Sequence, residues 1–119
     1  LNLKQAADRE AQTLPYGVQR LIDIGIALCC RPKLLLLDEP TSGLSTAELR
    51  EAVDVLKTLR ERVTILLIEH NMELVVGMAD RISVLNFGSL LAEGSAEEIG
   101  ANREVQKAYF GSREKAALQ

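Results

Sequence analysis

Leu34-Leu35-Leu36-Leu37 is an unbroken apolar run that stops at Asp38-Glu39-Pro40. A run without polar alternation, closed by two acids and an imino acid, predicts a parallel strand covered on both faces with carboxylates at its carboxyl end. Just beyond it, Ser45-Thr46-Ala47-Glu48 has the spacing of a capping box, in which the serine hydroxyl takes a backbone donor and the glutamate reaches back. Leu49, Val53, Leu56 and Leu59 continue at helical spacing, so residues 46–61 are expected to form an amphipathic helix. Thr64 to Ile68 then reads as a second buried strand. Strand, helix and strand in this order make the parallel unit of an α/β sheet, and such sheets keep their chemistry at the carboxyl ends of the strands.

The rest of the chain extends this plan. Residues 1–13 are polar and alanine-rich, expected to be helical and partly detached from the core. In Leu14-Pro15-Tyr16-Gly17 the proline and glycine mark the entry to a helix. Val18, Leu21, Ile22, Leu28 and Cys29 recur at helical spacing up to Cys30, and Arg31-Pro32 stops the run. After the second strand the pattern predicts a short helix from Asn71 to Ala79. A hairpin follows, with strands Arg81 to Asn86 and Leu90 to Glu93 turning at Gly88. Ser95-Ala96-Glu97-Glu98 is a second capping box, and helical periodicity continues to Phe110 with a break near Gly100 to Asn102. Met72, Val75, Val76 and Met78 read as core packing, and Arg113 to Lys115 as a solvated face.

Composition narrows the function classes. A chain of 119 residues with 47% apolar side chains can bury a core without staples, and one domain over residues 1–119 is expected. Lys plus Arg is 14 against 17 Asp plus Glu, a net charge of -3, which leaves no basic field for a phosphate polymer. Tyr16, Phe87, Tyr109 and Phe110 are too scattered for a base-stacking platform, so no nucleic acid partner is expected. Cys29 and Cys30 are neighbours whose mutual bridge would be strained; they are expected to be reduced core residues, as in the cytosol. No apolar stretch reaches the roughly 18 residues that cross a bilayer, which reads as a soluble or peripheral chain. It opens on Leu1 rather than Met, so a piece of a longer protein is a standing expectation.

Four segments combine residue types that chemistry needs. Asp38 and Glu39 are adjacent carboxylates at a strand end, where burial is costly unless a cation compensates, so a metal is a natural partner. Adjacent strand residues point to opposite sides, which lets one acid serve a metal while the next faces water. The plain alternative is a strand end that happens to be acidic. Leu14 to Gln19 places a glycine at a helix start, where unpaired N–H groups and the dipole favour an anion, or else simply leads a loop into a core helix. Thr41-Ser42-Gly43-Leu44-Ser45 follows the acids, and a helix cap alone accounts for Ser45. His70, the single histidine, follows Ile65-Leu66-Leu67-Ile68-Glu69; a lone histidine is commonly just a satisfied side chain.

In order along the chain, these segments resemble the signature, Walker B element, D-loop and switch histidine of ATP-binding cassette (ABC) ATPases. Leu14-Pro15-Tyr16-Gly17, Leu66-Leu67-Ile68-Glu69-His70-Asn71-Met72, Asp80 to Gly88 and Ala108-Tyr109-Phe110-Gly111 resemble more narrowly the LivG-type ATP-binding subunits of branched-chain amino acid importers. The resemblance implies that Asp38 holds Mg²⁺ through water and that Glu39 polarises the water attacking ATP, with His70 at the γ-phosphate. It implies that Leu14, Pro15, Tyr16, Gly17, Val18 and Gln19 face the γ-phosphate of ATP bound by a partner. Ser42, Gly43, Leu44 and Ser45 would cross the dimer interface. Pro15 stands where the family's common Leu-Ser-Gly-Gly-Gln has its serine, so only backbone contact is implied there; Ser45 replaces the usual aspartate, and Ile26 an arginine often found in the signature helix.

None of the eight glycines opens a G-x-x-x-x-G-K-[ST] phosphate loop. The implied fold is therefore a partial P-loop NTPase, the carboxyl-terminal half of an ABC cassette: a mostly parallel sheet with flanking helices and a C-terminal hairpin plus helices, lacking the phosphate-loop strand. Within it, residues 1–31 form the signature region, 32–94 run from Walker B to the hairpin, and 95–119 are the terminal helices. The implied function is ATP hydrolysis that powers an importer, with the isolated chain inactive. The implied partners are a second ATP-binding subunit in a head-to-tail dimer, transmembrane permease subunits and, indirectly, a solute-binding protein. The implied location is cytoplasmic, on the inner face of the membrane. The missing strand would leave an open sheet edge through which the chain self-associates. A non-enzymatic module docking on a sibling cassette remains the alternative. A DNA-repair type ABC ATPase fits less well, because long coiled coils are not visible.

Overall fold

The structure is a computed structural model that describes residues 3–116, with the backbone alone for Gln5 and residues 110–116. It divides into two compact units, one up to His70 and one from Asn71 onward. The α/β class stands as expected.

In the first unit, short 3₁₀ helices at Lys4–Ala6 and Ala11–Thr13 replace the expected amino-terminal helix. A polar segment without an apolar stripe has nothing to bury, and a helix that short is marginal by itself. Helix α1 (Tyr16–Cys29) starts two residues before its apolar period, with Pro15 as its N-cap at ψ 147°. It ends where Arg31 turns left-handed at φ 49°, its N–H donating to the Leu28 carbonyl at 2.9 Å, and Pro32 follows. Strands β1 (Leu34–Asp38) and β2 (Thr64–Ile68) pair in parallel, Leu34 opposite Thr64 and Asp38 opposite Ile68. Helix α2 (Thr46–Leu59) joins them and packs on α1. The core collects Leu21 and Ile24 of α1, Leu35 of β1, Ala52 and Leu56 of α2, and Val63.

Two further expectations fail in this unit. The strands are not covered on both faces: Leu34, Leu36, Leu66 and Ile68 keep between 52% and 64% of their surface exposed. Strand side chains alternate, so the covered face carries Leu35, Leu37, Ile65 and Leu67, and the other face lies open. Nor are the cysteines core residues; both are free thiols and exposed, because the last turn of α1 is uncovered, with Ala27 exposed as well.

The second unit contains α3 (Met72–Met78), β3 (Ile82–Asn86), β4 (Ser89–Gly94), α4 (Ala96–Ala101) and α5 (Arg103–Ala116). Strands β3 and β4 form an antiparallel hairpin, Ile82 opposite Gly94, with a bulge between Val84 and Leu85. Its two-residue turn takes positive φ at both Phe87 (47°) and Gly88 (79°), the type I′ geometry whose twist matches paired strands. Ile82, Val84, Ile99 and Val105 close a core, with Met72, Val75 and Tyr109 packed on it. Met78 is buried as expected, but Val76 is 44% exposed on the outer side of α3. The break between the last helices lies at Asn102, whose side-chain oxygen accepts from the Glu104 N–H at 2.9 Å and caps α5. The backbone helix continues past Phe110 to Ala116, while the side chains of Arg113 to Lys115 lie outside the described residues.

Candidate functional site

Parallel pairing brings the carboxyl ends of β1 and β2 together, and with them Asp38, Glu39 and His70. The ladder continues one step past β1, where the Glu39 N–H donates to the Ile68 carbonyl at 2.9 Å. Glu39 is left-handed, φ 42°, a conformation costly for a residue with a Cβ. Its Oε1 stands 3.3 Å from Nδ1 of His70, with both side chains at least half exposed. Asp38 is also exposed, so the acids stand in solvent rather than buried as the sequence argument supposed. The reason is the open sheet face, on which the neighbouring Leu36 and Ile68 are exposed as well.

Glu69 is the residue that sequence reasoning passed over. Its Oε1 accepts from both the Thr41 N–H, at 3.1 Å, and the Thr41 hydroxyl, at 2.5 Å. Thr41 is only 9% exposed, so its donors need that partner, and the other Glu69 oxygen is buried without one. An acid between a strand and a histidine was the available signal, but its partner lies 28 residues away.

The second cluster joins the segment from Leu14 to Gln19 with the segment from Ser42 to Ser45. Glu48 holds both. Its Oε1 accepts from the Gly17 N–H at 2.9 Å, while its Oε2 accepts from the Ser45 N–H at 2.9 Å and the Ser45 hydroxyl at 2.6 Å. The Ser45 hydroxyl, with its backbone N–H and that of Gly17, holds the Glu48 carboxyl below the usual carboxylate range. A Cβ on Gly17 would lie 2.8 Å from Glu48, so only glycine admits this contact. At Gly43, left-handed with φ 77°, an added Cβ would stand 3.3 Å from the Tyr16 ring. The Arg20 guanidinium lies over that ring, 5.1 Å from its centroid. Gln19 donates from its side chain to the Leu14 carbonyl at 2.8 Å, and Val18 and Gln19 donate their N–H groups to the Pro15 carbonyl. Leu44 donates to the Thr41 carbonyl at 3.3 Å, and Ser42 to the Glu39 carbonyl at 3.1 Å. One loop thus runs from the Glu39–His70 pair to the Tyr16–Gly17 corner.

Among the described residues no group of three or more His, Cys, Asp or Glu side chains is placed to hold a metal. A solvent-facing Asp38 fits one contact to a Mg²⁺ that keeps its waters and takes further ligands from a phosphate; it does not fit an all-protein cage. No described helix is long and apolar enough to cross a membrane.

The family model for ABC transporters matches residues 1–42, and that for the branched-chain amino acid ATP-binding cassette transporter matches residues 89–115. The high-affinity branched-chain amino acid transport ATP-binding protein LivG of Salmonella typhimurium is 44% identical over 113 residues, 93% of this chain and 44% of that protein. BraF of Pseudomonas aeruginosa, a high-affinity branched-chain amino acid transport ATP-binding protein, matches with the same identity and the same coverage. Among solved structures, an ATP-binding cassette of an ABC transporter in its ADP conformation superposes with a TM-score of 0.78 at 30% identity, covering 92% of this chain and 45% of that one. The chain spans less than half the length of these relatives. On this agreement of family models, relatives and architecture, the chain belongs to the ABC transporter ATP-binding proteins.

Proposed function

We propose that this chain supplies the water-activating and partner-facing part of an ATP-hydrolysing subunit that powers an ABC importer for branched-chain amino acids. The observation that carries the reading is the 3.3 Å contact between Glu39 and His70 at the end of a parallel strand pair. With Nδ1 held by the Glu39 carboxylate, the imidazole keeps Nε2 for a second partner, and the carboxylate keeps its other oxygen to accept a proton from water. Bound Mg²⁺ would neutralise phosphate charge, with Asp38 as the one side chain of this chain offered to its water shell. The corner of Tyr16, Gly17, Gly43 and Ser45 is the part that faces a second ATP-binding subunit across a head-to-tail dimer, together forming the two sides of one nucleotide site. Residues 1–119 act as one carboxyl-terminal cassette half. Permease subunits, and through them a solute-binding protein, complete the importer, which places the chain on the cytoplasmic face of the membrane.

The phosphate-loop pattern does not occur in these 119 residues, so the isolated chain is expected to bind ATP weakly and not to turn it over. In a longer protein that contains this chain and a phosphate loop, Glu39→Gln should lower kcat by roughly 10²–10⁴-fold, as removal of a general base does. Phosphate release by that protein, with and without the substitution, tests the reading. Equal rates would reject it, and turnover by the isolated chain that is lost on Glu39→Gln would reject its inactivity. The open face of Leu34, Leu36, Leu66 and Ile68 favours a second reading, a module that docks by this face without chemistry; it predicts that Glu39→Gln changes nothing while Leu36→Lys abolishes assembly.

A further inference from the structure

We infer that Glu69 is a positioning residue for the Glu39–His70 pair, acting through Thr41 rather than by touching either partner. This deepens the hydrolytic reading and rests on it for its catalytic consequence, but not for its geometry. Glu39 must be held in a left-handed conformation that its Cβ disfavours, so some neighbour has to fix the chain on each side of it. On one side the Ile68 carbonyl takes the Glu39 N–H at 2.9 Å. On the other, Pro40 has no N–H to offer, and the next donor is that of Thr41, which Glu69 takes together with the hydroxyl. Three successive residues at the end of β2 therefore act on the loop after β1. Ile68 holds the Glu39 backbone, Glu69 grips the residue two beyond it, and His70 meets the Glu39 side chain.

A carboxylate accepting two donors from one buried threonine makes a short charge-assisted contact, stronger than a neutral loop contact. Without it the segment from Glu39 to Thr41 keeps the Ile68 bond, the Ser42–Glu39 turn bond at 3.1 Å and the Leu44–Thr41 bond at 3.3 Å, none of which ties Thr41 to the end of β2, and Glu39 is free to leave its left-handed position. The imidazole then loses its partner.

Because His70 is the single histidine, its ring nitrogens give one unambiguous pair of signals in a nitrogen-15 spectrum of the 119-residue chain. At one fixed pH, Glu69→Ala should move those signals to where Glu39→Gln moves them. Glu69→Gln, which keeps an oxygen acceptor for Thr41, should leave them at the wild-type position. Thr41→Val should produce part of the Glu69→Ala shift and Thr41→Ser none, and this pair decides the matter if Glu69→Ala does not fold. Wild-type His70 signals in folded Glu69→Ala, or in Thr41→Val, would overturn the inference and leave Glu69 as a loop cap only. In a longer ATP-hydrolysing protein containing this chain, Glu69→Ala should lower kcat by roughly 10-fold to 100-fold with KM unchanged. If that protein hydrolyses no ATP at all, the hydrolytic reading falls while the ring signals still judge the role of Glu69.

Discussion

The two units solve the same problem, a two-stranded sheet with two faces, in opposite ways. From Asn71 onward the hairpin turns Ile82 and Val84 inward onto Ile99 and Val105, and its other face carries polar Ser83 with Leu85. That is the alternation expected of an antiparallel pair with one wet face. Up to His70 the strands are apolar on both faces, yet only one face is covered, and the open one shows four large aliphatic side chains. The difference teaches that an unbroken apolar strand records how many layers a sheet is meant to have, not how many a given stretch of chain supplies. The candidate chemistry lies on the incompletely covered sheet, where Asp38, Glu39 and His70 stand exposed.

The comparison breaks or sharpens most visibly in core truncations. Ile99→Ala in the closed core and Leu56→Ala in the other unit, both at most 1% exposed, should each cost about 2–5 kcal/mol in urea unfolding. Leu36→Ala, at 64% exposure, should cost about 0.5 kcal/mol or less. A cost for Leu36→Ala close to that of Leu56→Ala would mean that the open face is covered in solution, and the contrast between the units would disappear. Sedimentation of the same variants tells whether a second copy provides the cover.

A smaller effect separates long-range clamping from local capping. Gly17→Ala pushes a methyl group into Glu48, 2.8 Å away, and should destabilise the first unit by about 1–3 kcal/mol. Adding Glu48→Ala should return part of that loss, a non-additivity that a mere helix-propensity effect would not show. Each unit has its own capping box, at Ser45–Glu48 and at Ser95–Glu98, but only the first has a carboxylate that also reaches a distant backbone donor.

The smallest effect is in acid. Glu48 is held below the usual carboxylate range by Ser45 and Gly17, and Glu93 by the hydrogen bond from Arg81, 3.0 Å away, and by Ser83. Each therefore contributes stability that is fully present above the usual range and is lost as pH falls through its depressed value. Thermal unfolding should show no change from these groups near neutrality and a decline below the carboxylate range. Glu93→Gln should flatten that decline in the hairpin unit and Glu48→Gln in the other; an unchanged acid limb in both would show that these bonds do not persist in solution.

Much of the architecture was legible because its signals are local. Both capping boxes, the hairpin turn and the α1 stop at Arg31-Pro32 depend on residues within a few positions of one another, and all are present. The amino-terminal segment misled because alanine content raises helix propensity without giving a face to bury. Cys29 and Cys30 misled for a related reason: an apolar run says that burial is favourable, not that a covering element is there. Of the site, Asp38, Glu39 and His70 were legible by order along the chain, and their convergence follows from the in-register parallel pairing of β1 with β2.

What the amino-acid order determined by itself is the succession of elements from Tyr16 onward and the three chemical groups at two strand ends, since hydrogen bonds over three or four residues and the pleat period need no distant partner. Only the tertiary structure decided that Glu48 spans 31 residues to Gly17, that Glu69 spans 28 to Thr41, and that one sheet face stays bare. Those outcomes depend on which surfaces meet once the strands pair, and a carboxylate's choice among several reachable donors is made by packing, not by its neighbours in the chain.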